Sequence, residues 1–191
     1  GDRFTFWDID PLMLDIARDF FSFIEQSEAE VELILADGRL GTRQLDETLD
    51  VLIIDAFTGD SVPTHLLTAE AYREFAAAAA GGWLVFHISS RWVDLSPVLQ
   101  ASMEQAADDG VRILTIVPEE DSRKKDFRSA HYIVVPPAGH YQSFLDFLRP
   151  KADSNPYVRE MHRIPSERRE SILWTDERHS VTQLLEWSNI F

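Results

Sequence analysis

An α/β fold built on a mostly parallel sheet follows from three features of the 191-residue sequence. Short apolar runs alternate with stretches of helical periodicity, as they do when strands and helices take turns along a chain. The run Val51–Ile54 is almost wholly apolar, the mark of a central strand covered by helices on both faces. Three of the apolar runs are followed closely by an aspartate, namely Asp8, Asp37 and Asp55.

The elements follow in order. Phe4 to Ile9 is a short aromatic and aliphatic run, and Pro11 stands where a helix would begin. Leu12, Ile16, Phe20, Phe23 and Ile24 recur at helical spacing, which predicts an amphipathic helix ending near Gln26 or Ser27. Val31 to Ala36 reads as the next strand, closed by Asp37-Gly38, and Val51 to Ile54 as the third. Ala69 to Ala80 has high helix propensity and stops at Gly81-Gly82, ahead of a buried strand from Trp83 to Ile88. Leu95 to Asp109 is a helix ended by Gly110. Val111–Val117 and Ala130–Val135 are strands on either side of the charged loop Glu119–Arg128, and His140 to Leu148 is a last helix. Prolines and charges with weak periodicity mark Lys151 to Arg169 as a linker to a small terminal segment, Ile172–Trp187. The chain thus divides into a domain over residues 1–150 and a linker with a C-terminal segment over 151–191 that packs on it. The strands ending at Asp8, Asp37, Asp55 and Ile88 are expected to lie parallel in one sheet.

Composition narrows the function. With 33 acidic against 18 basic residues the formal charge is -15, a field that repels a phosphate backbone. Nucleic acid is therefore not an expected partner, whereas a small cationic amine would be attracted. Acidity that simply keeps a protein soluble accounts for the same charge. The absence of cysteine removes disulfides and thiolate chemistry, and the histidines show no HxH or HExxH spacing, so no metal is expected. No apolar run of about 18 residues occurs and no signal-peptide pattern opens the sequence, so the cytoplasm is the default location.

Ligands of such folds bind at the carboxyl ends of parallel strands. A carboxylate there can accept both hydrogen bonds of a ribose diol. A single aspartate after a strand is ordinarily a turn or a helix cap. Three in succession, with Asp60 five residues beyond Asp55, point to a site. His87 follows a buried strand at the same edge, beside Ser89, Ser90 and Arg91, where it either lines a pocket or is a satisfied structural histidine.

The ordered motifs Phe6-Trp7-Asp8-Ile9-Asp10-Pro11, Ala36-Asp37-Gly38-Arg39-Leu40, Asp50 to Pro63, His65-Leu66-Leu67-Thr68 and His87-Ile88-Ser89-Ser90-Arg91 resemble those of the spermidine synthase family. The branch often fused to membrane segments is the nearest, and Leu173-Trp174-Thr175-Asp176 resumes the match. The resemblance implies a Rossmann-like, S-adenosylmethionine-dependent methyltransferase fold, with residues 1–150 as its nucleotide-binding transferase domain. It also implies transfer of an aminopropyl group from decarboxylated S-adenosylmethionine to a polyamine such as putrescine. On it, Asp8 holds the ribose hydroxyls, Asp37 and Gly38 lie beside the adenine, and Asp55 and Asp60 flank the reacting amine, Asp60 as base and Asp55 as the orienting acid. His87 is the further candidate for substrate binding if it lines the pocket rather than serving as a structural histidine, and Trp174-Thr175-Asp176 either folds back over that pocket or caps an exposed helix. A homodimer and a membrane segment outside this chain are the further partners it allows.

Departures bear on these expectations. The family has a strand and glycine-rich loop ahead of its ribose acid, and the sequence opens at Gly1 without them. An incomplete amino end is expected, with a gap in the sheet between the strands ending at Asp8 and Asp55. Phe57-Thr58-Gly59 also lengthens the loop before Asp60, which favours a different acceptor. Methyl transfer from S-adenosylmethionine and a non-catalytic interaction module are the alternatives on the same fold.

Overall fold

The structure, a computed structural model, describes residues 1–55, 63–89, 93–106, 114–117, 132–154, 160–162 and 172–184. The chain forms two compact units, Gly1–Asp46 and Glu47–Phe191.

The first unit is a strand–helix–strand motif. Strand β1 (Arg3–Asp8) runs into helix α1 (Pro11–Phe20), whose first turn is set by Pro11 and by Asp10, whose Oδ1 accepts the Leu12 amide at 2.9 Å. A short helix α2 (Phe23–Gln26) leads to β2 (Glu30–Leu35), which pairs parallel with β1 so that Asp8 stands opposite Leu35. Helix α3 (Gly38–Thr42) follows at once, capped by Asp37, whose Oδ1 accepts the Leu40 amide at 3.0 Å. Close packing requires glycine here, because a Cβ at Gly41 would lie 2.5 Å from the Trp7 indole nitrogen.

The second unit holds a five-stranded sheet, ordered β3-β4-β6-β5-β7, from β3 (Val51–Ile54), β4 (Trp83–His87), β5 (Leu114–Val117), β6 (Tyr132–Val135) and β7 (Glu160–His162). β3 and β4 are parallel, and the remaining neighbours pair antiparallel. Helix α4 (Ala69–Ala78) makes the crossover between β3 and β4 and buries Tyr72 and Phe75 against Phe86 of β4, with ring centroids 6.3 and 6.2 Å away. On the opposite face of β4, Phe144 of helix α6 (Tyr141–Ser154) meets Trp83 edge-on at 4.7 Å. Helix α5 (Ser96–Ala106) adds Val98, Leu99 and Met103 to the core, and its Ser102 hydroxyl donates to the Leu67 carbonyl at 2.8 Å. The entry to β4 is tight. A Cβ at Gly82 would collide with the carbonyls of Leu49 and Asp50, and the next amide, of Trp83, donates to the Asp50 carbonyl at 2.8 Å.

Residues 172–184 are seated at the start of α4. Trp174 is fully buried, and its carbonyl accepts the Ala69 amide at 2.9 Å. The buried Thr68 hydroxyl accepts the Ala71 amide at 3.2 Å and donates to the Asp176 carboxylate at 2.7 Å. Glu70 closes the arrangement by accepting the Asp176 amide at 3.0 Å.

Three expectations are corrected. The strands ending at Asp8, Asp37, Asp55 and Ile88 lie in two sheets and not one, β1 with β2 and β3 with β4. The reason is local: each parallel pair is closed by its own helical crossover, and no described strand joins β1 to β3. The almost wholly apolar run of β3 is covered on one face, since Leu52 and Ile54 are buried while Val51 and Ile53 are more than half exposed. Finally, the linker expected over Lys151–Arg169 carries the last turn of α6 and the strand β7, which takes the hydrogen-bonding edge of β5. The charged loop Glu119–Arg128 lies outside the described residues.

Candidate functional site

Parallel pairing sends both chains out at the same edge, so it fixes which strand-end residues meet. In the first unit that edge carries Asp8, the last residue of β1, together with Asp37 and Gly38 just beyond β2. Asp8 Oδ1 accepts the Asp10 amide at 2.8 Å, and Asp37 is spoken for by its cap. Both carboxylates therefore shape the local turn, as isolated strand-end aspartates do. A carboxylate has roughly four acceptor positions, and Asp8 Oδ2 meets no protein group among the described residues. Asp8 is thus able to accept a hydroxyl while holding its turn.

In the second unit the register pairs Ile54 with Phe86, so the next residues, Asp55 and His87, emerge side by side. His87 Nδ1 lies 2.5 Å from Asp55 Oδ1. Its Nε2 lies 2.6 Å from the hydroxyl of Ser89, two residues further along the same extended face. From the other side β6 brings Tyr132 opposite His87, and the two rings stack with centroids 4.8 Å apart and planes 22° off parallel. The His87 side chain is largely covered at 21% exposure, whereas Asp55 opens to solvent at 56%, so the pair has one sheltered and one accessible member.

The structure thus brings Asp8 together with Asp37 and Gly38, and Asp55 together with His87. Asp60, Ser90 and Arg91 lie outside the described residues. Ser89 and Tyr132 were not singled out as site residues from sequence. The spacing of two between His87 and Ser89 on a strand was the available signal for the first. Tyr132 gave none, because its place depends on an antiparallel neighbour far along the chain. Among the described residues no group of three or more histidine, aspartate or glutamate side chains is arranged to hold a metal ion. No described helix is long and apolar enough to cross a membrane.

No protein-family model matches the chain, and no curated protein does. Solved structures do. A probable spermidine synthase from Corynebacterium glutamicum superposes with a TM-score of 0.52 at 20% identity, over 70% of this chain and 46% of that one. Spermidine synthase from Thermotoga maritima gives 0.50 at 16% identity, over 91% and 54% of the two chains. A spermidine synthase in complex with the transition-state analogue AdoDATO gives 0.51 at 16% identity, over 97% and 58%. These likenesses place the chain in the α/β fold class of S-adenosylmethionine-dependent methyltransferases. Within that class the fold is spermidine synthase-like, and the chain spans about half the length of these solved structures.

Proposed function

We propose that the protein is a spermidine synthase-like transferase that moves an aminopropyl group from decarboxylated S-adenosylmethionine to a small cationic amine such as putrescine. The observation that carries this reading is the Asp55–His87 contact at the carboxyl edge of β3 and β4, which sets an accessible carboxylate where such folds bind their ligands. Asp8, with Asp37 and Gly38, is assigned to the nucleotide, and Asp55 and Asp60 to the acceptor amine. Chemistry supports this division. The acceptor is a cation that must lose a proton before its nitrogen can attack, and acidic side chains both attract and orient it. Methyl transfer from S-adenosylmethionine is the second reading, because the same fold serves both reactions.

The test supplies the full-length protein with decarboxylated and ordinary S-adenosylmethionine in parallel, with putrescine and spermidine as acceptors. Release of methylthioadenosine supports aminopropyl transfer, and accumulation of S-adenosylhomocysteine alone replaces it with methyl transfer. Asp8→Asn is expected to weaken nucleotide binding. Asp60→Asn is expected to keep nucleotide affinity and to lower kcat/KM for the amine by about a hundredfold or more. Absence of both products overturns the enzyme readings.

A further inference from the structure

We infer that His87, held by Asp55 and joined to Ser89, is the group that takes the acceptor's proton, with Ser89 as the hydroxyl that meets the substrate; this rests on the transferase reading above. A carboxylate, with a usual pKa of about 4, is a poor base for an ammonium near 10, and an imidazole is the better matched class of base near neutrality. The geometry supplies an imidazole with a direction. Ionised Asp55 can only accept, so the contact of 2.5 Å at Nδ1 places the ring proton there. In the neutral ring Nε2 is then an acceptor, and Ser89 Oγ, at 2.6 Å, donates to it. Stacking on Tyr132 and a hydrogen bond at each nitrogen hold the ring against rotation. Among the described residues, Asp55 beyond β3, Ser89 beyond β4 and Tyr132 on β6 face the ring.

The step balances. An N–H of the substrate ammonium passes its proton to Ser89 Oγ while the Ser89 proton moves to His87 Nε2, leaving a neutral amine with a free electron pair. That pair forms the new N–C bond at the carbon attached to the sulfonium, and the C–S electrons return to sulfur, giving the neutral thioether. The proton rests on the His87 ring as an imidazolium paired with Asp55, and is later released to water.

Steady-state kinetics of the full-length protein and of His87→Gln, from about pH 7 to about pH 10, test the assignment. His87→Gln is expected to lower kcat by about 10²–10⁴-fold near neutrality, with KM for both substrates changed by less than about threefold. The deficit is expected to close toward pH 10, where the amine arrives already deprotonated. Ser89→Ala is expected to show the same pattern at smaller size. A second measurement, ¹⁵N NMR of histidine-labelled unsubstituted protein with the ring neutral, is expected to find the His87 proton on Nδ1. A wild-type protein that releases neither product overturns the transferase reading and this role with it. A working wild type overturns this role alone if the His87→Gln deficit is absent or equal at every pH, or if the ring proton sits on Nε2.

Discussion

Between Gly1 and Asp46, Leu14 is the one large apolar side chain that is buried, while Phe4, Phe6, Phe20, Phe21 and Phe23 all stand at least 44% exposed. Beyond Glu47, by contrast, Phe75, Phe86, Leu95, Leu99, Ile133 and Trp174 are shielded to 2% or less. The difference is one of surface available for enclosure. Two strands and short helices give each apolar side chain a neighbour on one side, as where Phe6 and Phe23 meet edge-on at 6.0 Å, but no second layer. The larger unit has five strands with α4 and α6 on opposite faces of β4. The same local motif, a parallel strand pair closed by a helix, is therefore well cored in one unit and thinly cored in the other.

The widest expected contrast is between phenylalanines. Phe86→Ala should cost the larger unit about 3–5 kcal/mol, whereas Phe6→Ala should cost less than about 1 kcal/mol. Urea unfolding followed by tryptophan fluorescence measures both; equal losses would break the contrast.

Alkaline titration sharpens it. Burial pushes the Tyr72 phenol up from 10.0 to about 12, with no like-placed tyrosine in the smaller unit. The unfolded chain ionises first, so between pH 10 and about pH 12 it binds fewer protons than the folded one, and stability falls as pH rises through that window. The loss is on the order of 2 kcal/mol, and it should vanish in Tyr72→Phe. A Tyr72→Phe protein with the same alkaline loss would assign it elsewhere.

The smallest contrast concerns helix caps. Thr68 is buried and bonded on both sides, so Thr68→Ala should cost about 1–2 kcal/mol, against about 0.5–1 kcal/mol for Asp37→Ala at the short helix α3. Amide exchange of α4 and α3 reads the two separately, and a larger effect at α3 would reverse the ranking.

What the sequence disclosed follows the range over which each feature is decided. Strand β3, the helix start at Pro11 and the stop at Gly81-Gly82 are set within a few residues and were legible from residue type and spacing, whereas the short helix α3 with its Asp37 cap was not read there. The meeting of Asp55 with His87 was half legible: both were marked as strand-end residues, and the parallel register then made them neighbours. β7 was missed because Glu160–His162 has no strand-like pattern of its own and is specified by the edge of β5. The division into two sheets falls where a gap was expected, between the strands ending at Asp8 and Asp55, but the antiparallel partner of β4 was not named by the sequence. Pairing partners are chosen across the chain, and apolar runs alone do not name them.

The bond from Thr68 to Asp176 joins residues 108 apart in sequence, and Trp174 fills the core beside it. A nascent chain emerging from the ribosome therefore completes α4 and the β3–β4 pair long before the residues that seal them exist. Until Trp174 clears the exit tunnel, the start of α4 has neither its carbonyl partner for Ala69 nor its apolar plug. Folding of the larger unit is in that sense postponed until Trp174 has been made, and until then its growing chain presents an apolar socket to chaperones.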